Sequence, residues 1–255
     1  MIILIINVLS ERNGIFMKWR SEYRVDSHDL DYNGVARTSA LMRFMQESAN
    51  AQCRALGPSL ESLRDEKGLA FLLSRFSAGF YTTVYPYDAI IAETWGVESR
   101  GFSFHRCYRL WRGDSVIAEA VAVWALVDIE GRRPVRVTEY HPGFDYDEML
   151  TLDTPPRIVF PSAVPLRLSG EHSVSYGETD RNMHMNNTRY SDILCDTLDI
   201  KDKRIYRMSF NFLNEAKLGE TVKIYSVHHG ESDYFRTVRE DGKTNVEAQI
   251  VLGEI

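Results

Sequence analysis

The sequence predicts an α+β chain in which one unit occurs twice, each copy an antiparallel sheet carrying a long helix. Three observations predict it. A polar turn leading into a helix-spaced apolar run appears at DLDYNGVARTSALMRF (Asp29–Phe44) and again at ETDRNMHMNNTRYSDI (Glu178–Ile193). Several strand-like runs follow each of these stretches. A segment rich in Pro and acidic residues, beginning EYHPGFDYDEM at Glu139, separates the copies.

Taken in chain order, the first stretch is MIILIINVL. It is apolar but only nine residues long, against the roughly 20 needed to span a bilayer. It has neither a preceding basic residue nor a small-residue cleavage site, so it does not read as a signal peptide. Met17 is an alternative start. Residues 1–16 are therefore set aside as an amino-terminal extension. The first copy is expected over 17–138, a linker over 139–165 and the second copy over 166–255.

In the first copy Leu41, Met45, Ala49 and Cys53 recur at helical spacing; in the second, Tyr190, Ile193, Leu194 and Leu198 do. Thr38 or Ser39, and Asn186 or Asn187, suit the helix starts because their side chains can accept from orphan amides. The strands of the first copy are LAFLLSRFSAGFYTTV, DAIIAETWGVES, FSFHRCYRLWR and SVIAEAVAVWALVDI. Those of the second are IYRMSFNFLNEA, ETVKIYSVHHG, SDYFRTVRE and TNVEAQIVLGE. Alternation and β-branched or aromatic enrichment mark them as strands, with turns at ESRG, RGDS, HGES and REDGK. A sheet with one apolar face must cover it. A helix across each sheet does so, and two copies side by side form one continuous sheet.

Composition narrows the function. Of 255 residues, 44% are hydrophobic and 26% charged, enough for a sizeable core. The net charge of −6 argues against a nucleic-acid binder, which needs a basic face. Cys53, Cys107 and Cys195 are scattered and odd in number, so neither a disulfide framework nor a metal-ligand spacing is visible. A reducing cytoplasm fits them.

The copies differ chemically. Aligning Asp31 with Asp180 and Asn33 with Asn182 sets Val35 opposite His184. Thr83, in FYTTVYPY, falls opposite Glu215, in FLNEAKLG. Asp31 to Thr83 spans 52 residues and Asp180 to Glu215 spans 35; the 17 extra residues lie mainly around GPSLESLRDEKG, read as an added turn and short helix. One copy keeps an ionisable set and the other does not, which points to a single site in the carboxyl-terminal half. His184 alone reads as a helix-capping turn residue; its amide neighbours, the twin copy and Glu215 argue for chemistry instead.

DRNMHMNNTRY resembles the D-x-N-x-H-x-N-N-x-x-Y signature of the acyl-acyl-carrier-protein thioesterase family. VAVWALVDIEGRRPVRV and FNFLNEAKLGE resemble two further segments of that family, and the match runs from about Lys18 to Ile255. The resemblance implies a tandem (double) hotdog fold, each half an antiparallel sheet wrapped around a long central helix. It implies hydrolysis of fatty acyl-acyl carrier protein to free fatty acid, without cofactor or metal. Asp180, Asn182, His184 and Glu215 fall on the family's catalytic positions. The cysteine that plant members carry after the glutamate is Ala216 here, so an active enzyme does without that thiol.

The chemistry expected is direct hydrolysis, with an acyl-enzyme route through a carboxylate as the alternative. Glu215 and His184 activate water, Asn182 holds the carbonyl and Asp180 orients its neighbours, with Asp180 an alternative base. Backbone amides at the helix start are expected to assist the oxyanion. Val35, Phe44 and Met45 are expected to line an acyl tunnel, and Asn186 and Asn187 to lie beside the substrate. Arg132, Arg133 and Arg136 are candidates for docking the acidic carrier. His141, in HPGF, superficially resembles the histidine loop of hotdog dehydratases but sits in the linker. The alternatives are an acyl-CoA thioesterase on the same fold and a non-catalytic acyl-binding protein. A doubled chain is expected to work as a monomer or a homodimer, with no membrane span.

Overall fold

The computed structural model describes residues 11–12, 15–16, 18–152, 158–162 and 164–255. The extension over 1–16 and the choice of Met17 as a start therefore lie outside the described residues, apart from a two-residue pairing of Glu11–Arg12 with Ile15–Phe16.

The first half comprises β1 (Trp19–Arg24), α1 (Thr38–Leu56), α2 (Leu60–Lys67), β2 (Leu69–Phe80), β3 (Ala89–Val97), β4 (Ser103–Arg112) and β5 (Ser115–Asp128). The second comprises β6 (Arg167–Ser173), α3 (Arg189–Cys195), β7 (Lys203–Phe212), β8 (Thr221–His229), β9 (Ser232–Arg239) and β10 (Thr244–Glu254). All ten strands join one sheet in the order β6-β8-β9-β10-β7-β2-β5-β4-β3-β1. Each half thus repeats the same order of its own strands: first, third, fourth, fifth, second. The halves meet where β2 pairs antiparallel with β7. Ser77 lies opposite Ser209 there, and their hydroxyls are 3.2 Å apart. A pseudo-twofold axis passes through this pair. It carries Thr83 onto Glu215, since each lies six residues along the chain from the paired serine, three past its strand's end.

The strands alternate because one face is covered. On β5, Ala118, Ala120 and Ala122 all point inward and are buried. Small inner residues leave room for Met42, Phe44 and Met45 of α1 in the same core cluster. The Phe44 ring also stacks on Tyr23 of β1, centroids 4.6 Å apart. Phe44→Ala is therefore expected to cost about 3–5 kcal/mol of stability, read from denaturant unfolding.

α1 has 19 residues, but α3 has only seven. The long helix expected in each half is present in the first alone. Past Cys195 the second copy continues Asp-Thr-Leu-Asp, and the Thr197 hydroxyl donates to the Leu194 carbonyl at 2.8 Å. Side chains of this kind compete with the helical ladder and end it early.

Residues between β5 and β6 do more than link. Tyr146–Asp147 adds in parallel to β3, and Phe144 is buried. Gly143, with φ +89°, passes so close to Leu56 and Gly57 that a Cβ would lie 2.6 Å from the Leu56 carbonyl. The HPGF run is thus a backbone crossing over the end of α1; the His141 ring accepts the Gly143 N–H at 3.1 Å.

Candidate active site

The two polar turns fold alike. In the second half Asp180 Oδ1 accepts the backbone N–H groups of Asn182 (2.7 Å) and His184 (3.2 Å), while the Asp180 N–H donates to the His184 carbonyl at 2.8 Å. In the first half Asp31 Oδ1 accepts from Asn33 (2.8 Å) and Val35 (3.3 Å), and the Asp31 N–H donates to the Val35 carbonyl at 2.9 Å. A short polar side chain that captures amides two and four residues on explains why both copies need aspartate here. Asp180 is thus committed to holding the loop, as its twin does without any histidine beside it. That weighs against Asp180 as the base.

At the sharpest point of the turn the first half has Gly34, at φ +76°, and the second Met183, at φ +59°. A non-glycine residue in the left-handed region is strained. The strain sits immediately before His184.

The loop then crosses the chain that leaves β7. Met185 donates to the Ala216 carbonyl at 2.8 Å, and Leu218 donates to the Met183 carbonyl at 3.0 Å. This brings His184 Nδ1 to 3.2 Å from Glu215 Oε2. The imidazole is mostly covered, with 21% of its side chain exposed, while the carboxylate is half exposed at 50%. The pair can therefore meet water while its ring orientation is fixed. The matching contact in the first half would join Val35 to Thr83, neither of which is an acid or base near neutral pH.

The asparagines diverge too. Asn33 is fully engaged: Nδ2 donates to the carbonyls of Ile200 (3.0 Å) and Lys203 (3.2 Å), and Oδ1 accepts from Asp202 at 3.2 Å. Asn182 instead receives a hydrogen bond from Arg64 of α2 on Oδ1, and its Nδ2 donates to Asp180 Oδ2 at 3.3 Å. Beside it Arg181 pairs with Asp65 at 3.2 Å. The helix in the 17-residue insertion thus lies over the loop of the other half. Sequence reading placed a helix there but had no signal for its partner; Arg64 was missed.

Asn186 lies in the turn that leads into α3: Oδ1 accepts the N–H (3.0 Å) and hydroxyl (2.9 Å) of Thr188, and its carbonyl accepts from Arg189 at 2.9 Å. Asn187 is half-buried next to it. The amides of Met185, Asn186, Thr188 and Arg189 are all used inside the protein. The Asn182 side chain stands beside the helix start as a candidate donor to an oxyanion.

Three residues expected around an acyl chain lie apart from this pair. Phe44 and Met45 are packed in the core. Val35 borders a cavity of about 560 Å³ with Tyr32, Arg37, Cys195 and Ile205, on the first half's own loop. A smaller cavity, about 100 Å³, lies under the first half's sheet among Ala49, Cys53, Leu60, Phe71, Trp124 and Phe144. Leu60 lies one turn of α2 from Arg64. The same helix therefore touches the cavity and Asn182.

Arg132, Arg133 and Arg136 are exposed in the turn after β5; Arg133 pairs with Asp128 at 3.2 Å and Arg136 lies over the Phe102 ring. Their turn adjoins the end of α2, because Ile129 donates to the Gly68 carbonyl at 2.8 Å.

Cys107 and Cys195 are held as thiols rather than thiolates. Burial pushes Cys107 up to about 11 and Cys195 up to about 12. Among the described residues no group of three or more His, Cys, Asp or Glu is placed to hold a metal ion, and no helix is long and apolar enough to cross a membrane.

Comparison with known proteins gives the family and the fold. Residues 17–141 match the model of the acyl-ACP thioesterase N-terminal domain, and residues 167–253 that of the acyl-ACP thioesterase C-terminal domain. No curated protein matches the sequence. Among solved structures, an acyl-ACP thioesterase from Bacteroides thetaiotaomicron superposes with a TM-score of 0.83 at 19% identity, covering 92% of this chain and 98% of that one. The 12:0-ACP thioesterase from Umbellularia californica gives 0.79 at 14% identity, covering 96% and 100%. These likenesses show the shared double hotdog fold.

Proposed function

This chain belongs to the acyl-ACP thioesterase family, and from that premise we propose how its residues carry out the reaction. The reaction is hydrolysis of the thioester of fatty acyl-acyl-carrier protein, releasing free fatty acid. The proposed catalytic set is His184, Glu215 and Asn182, with Asp180 holding the loop that presents them. The observation that supports it most is the 3.2 Å approach of His184 Nδ1 to Glu215 Oε2, absent by composition from the twin half.

With Nδ1–H directed at the carboxylate, Nε2 is left as the ring's acceptor. Nε2 takes a proton from water as the water oxygen attacks the thioester carbon. Glu215 stabilises the imidazolium that forms. The carbonyl oxygen becomes an oxyanion, supported by the Asn182 amide. The carbon–sulfur bond then breaks, and the imidazolium returns its proton to the departing thiolate. Hydrolysis of acyl-carrier substrates by wild type, His184→Ala and Glu215→Ala tests the assignment. Undiminished turnover in both variants removes it.

The acyl chain is assigned to the 100 Å³ apolar cavity, which Leu60 of α2 borders. Phe44, Met45 and Val35 are left as core and loop residues, so Phe44→Ala is expected to lower stability without altering chain-length preference. Asn186 and Asn187 are proposed to shape the substrate's approach from the start of α3.

The carrier is assigned to the turn bearing Arg132, Arg133 and Arg136, which continues onto α2 and so to Asn182. Charge reversal at Arg132 and Arg136 together is expected to raise KM for acyl carrier protein several-fold with kcat kept. An unchanged KM at low salt would move docking elsewhere. Both halves of the site lie in one chain, so a monomer suffices. The cytoplasm is proposed on the three free cysteines.

A further inference from the structure

The second half contains a buried polar trio that its twin lacks. Asn245 and Thr237 are wholly buried and Tyr190 nearly so. Asn245 Nδ2 donates to Tyr190 Oη at 2.9 Å and also to the Asn214 carbonyl. The Thr237 hydroxyl donates to Asn245 Oδ1 at 2.8 Å and accepts the Val246 N–H at 2.9 Å. The Asn245 carbonyl accepts the N–H groups of both Leu213 (2.9 Å) and Asn214 (3.1 Å). Asn214 is therefore clamped at its N–H and its carbonyl by one residue, and Glu215 follows directly.

The seam register identifies the counterparts. With Ser77 matched to Ser209, Gly79↔Glu119 matches Asn211↔Glu247, and Ile117 falls at the position of Asn245. Arg109↔Glu119 matches Arg236↔Glu247, setting Leu110 against Thr237. The aligned loops set Leu41 against Tyr190. Both halves carry the same irregularity between the last two strands, near Leu110–Trp111 and Arg236–Val238. Tyr81 donates to the Ile117 carbonyl at 2.8 Å just as Leu213 donates to that of Asn245. The first half closes the same bulge with leucine, leucine and isoleucine.

Structural duty thus does not account for the polar trio, because an apolar one does that duty in the other half. Burying an amide and two hydroxyls is unfavourable unless each is bonded. The polar trio occurs in the half that carries His184 and Glu215, where the twin has Val35 and Thr83. The charge of Glu215 also reaches the trio: the Tyr190 phenol is pushed up to about 12 by burial, with Glu215 adding to the rise.

We infer that Tyr190, Thr237 and Asn245 are positioning residues that hold the Asn214–Glu215 peptide so that the Glu215 carboxylate faces His184. The inference rests on the catalytic reading of Glu215. It acts through geometry, and misplacement of a reacting group by about an ångström costs up to ~10²-fold in rate.

The test is a double-mutant cycle on acyl carrier protein hydrolysis. Tyr190→Phe and Thr237→Val are each expected to lower kcat by about tenfold or more, with KM within about twofold. Thr237→Ser, which keeps the hydroxyl, is expected to restore kcat. In a Glu215→Gln background neither Tyr190→Phe nor Thr237→Val should add a further loss. Ile117→Val, in the twin bulge, should leave kcat unaltered. Should Thr237→Val fail to fold, Tyr190→Phe, which removes one oxygen, carries the cycle. Wild-type kcat in Tyr190→Phe overturns the inference, as does an equal fractional loss with and without Glu215. Full activity of Glu215→Gln itself would instead overturn the catalytic reading beneath it.

Discussion

Glu215→Gln is expected to reduce kcat on acyl carrier protein by roughly 10²–10⁴-fold while leaving KM nearly unchanged. Glutamine keeps the size of the side chain and can still accept from His184 Nδ1, so the ring stays in place. What disappears is the negative charge that stabilises the imidazolium while water attacks. His184→Ala should be at least as severe, because it removes the proton acceptor itself. Combining the two should cost little more than the worse single change, since the groups act as one unit across a 3.2 Å contact. Steady-state kinetics with a matched acyl chain measures all three. A double variant that loses the product of both single effects would show that the residues work independently and that the pair is not a dyad.

Filling the apolar cavity should change which acyl chain is cleaved. Ala49 is buried on α1 and borders the cavity of about 100 Å³. Ala49→Phe adds a ring to that space, and the far end of a long chain loses its room. Each methylene denied a place in a hydrophobic pocket is worth about 1–3 kcal/mol, or roughly 10–200-fold in kcat/KM. The expected result is a shift of preference toward shorter chains, with turnover of the shortest substrates retained. Assays over a series of saturated chain lengths read it directly. A preference profile identical to wild type would place the chain elsewhere, with the larger cavity beside Val35 the next candidate.

Much of the fold could be read from the residues, because the relevant signals are local. The Asp turns bind amides two and four positions away, so the repeat of Asp31 at Asp180 is written within five residues. Strand alternation and the α1 stripe likewise need only a few residues to appear. The length of α3 was harder to read: Leu198 continues the apolar spacing, but Asp196, Thr197 and Asp199 interrupt the helix that would use it. The place of the acyl chain was hard to read for a related reason. Phe44 and Met45 lie on an apolar helix face, and periodicity does not tell which part of such a face meets a core and which a cavity.

By itself the sequence determined that one unit occurs twice, and that only the second copy carries both an imidazole and a carboxylate, where its twin has Val35 and Thr83. Tertiary structure alone decided which groups meet: His184 with Glu215, Arg64 with Asn182, and Asn245 with Tyr190 and Thr237. The physical reason is separation along the chain. Periodicity and turn chemistry act over a few residues, whereas Arg64 and Asn182 stand 118 positions apart. They meet only because β2 and β7 pair in one register, with Ser77 against Ser209.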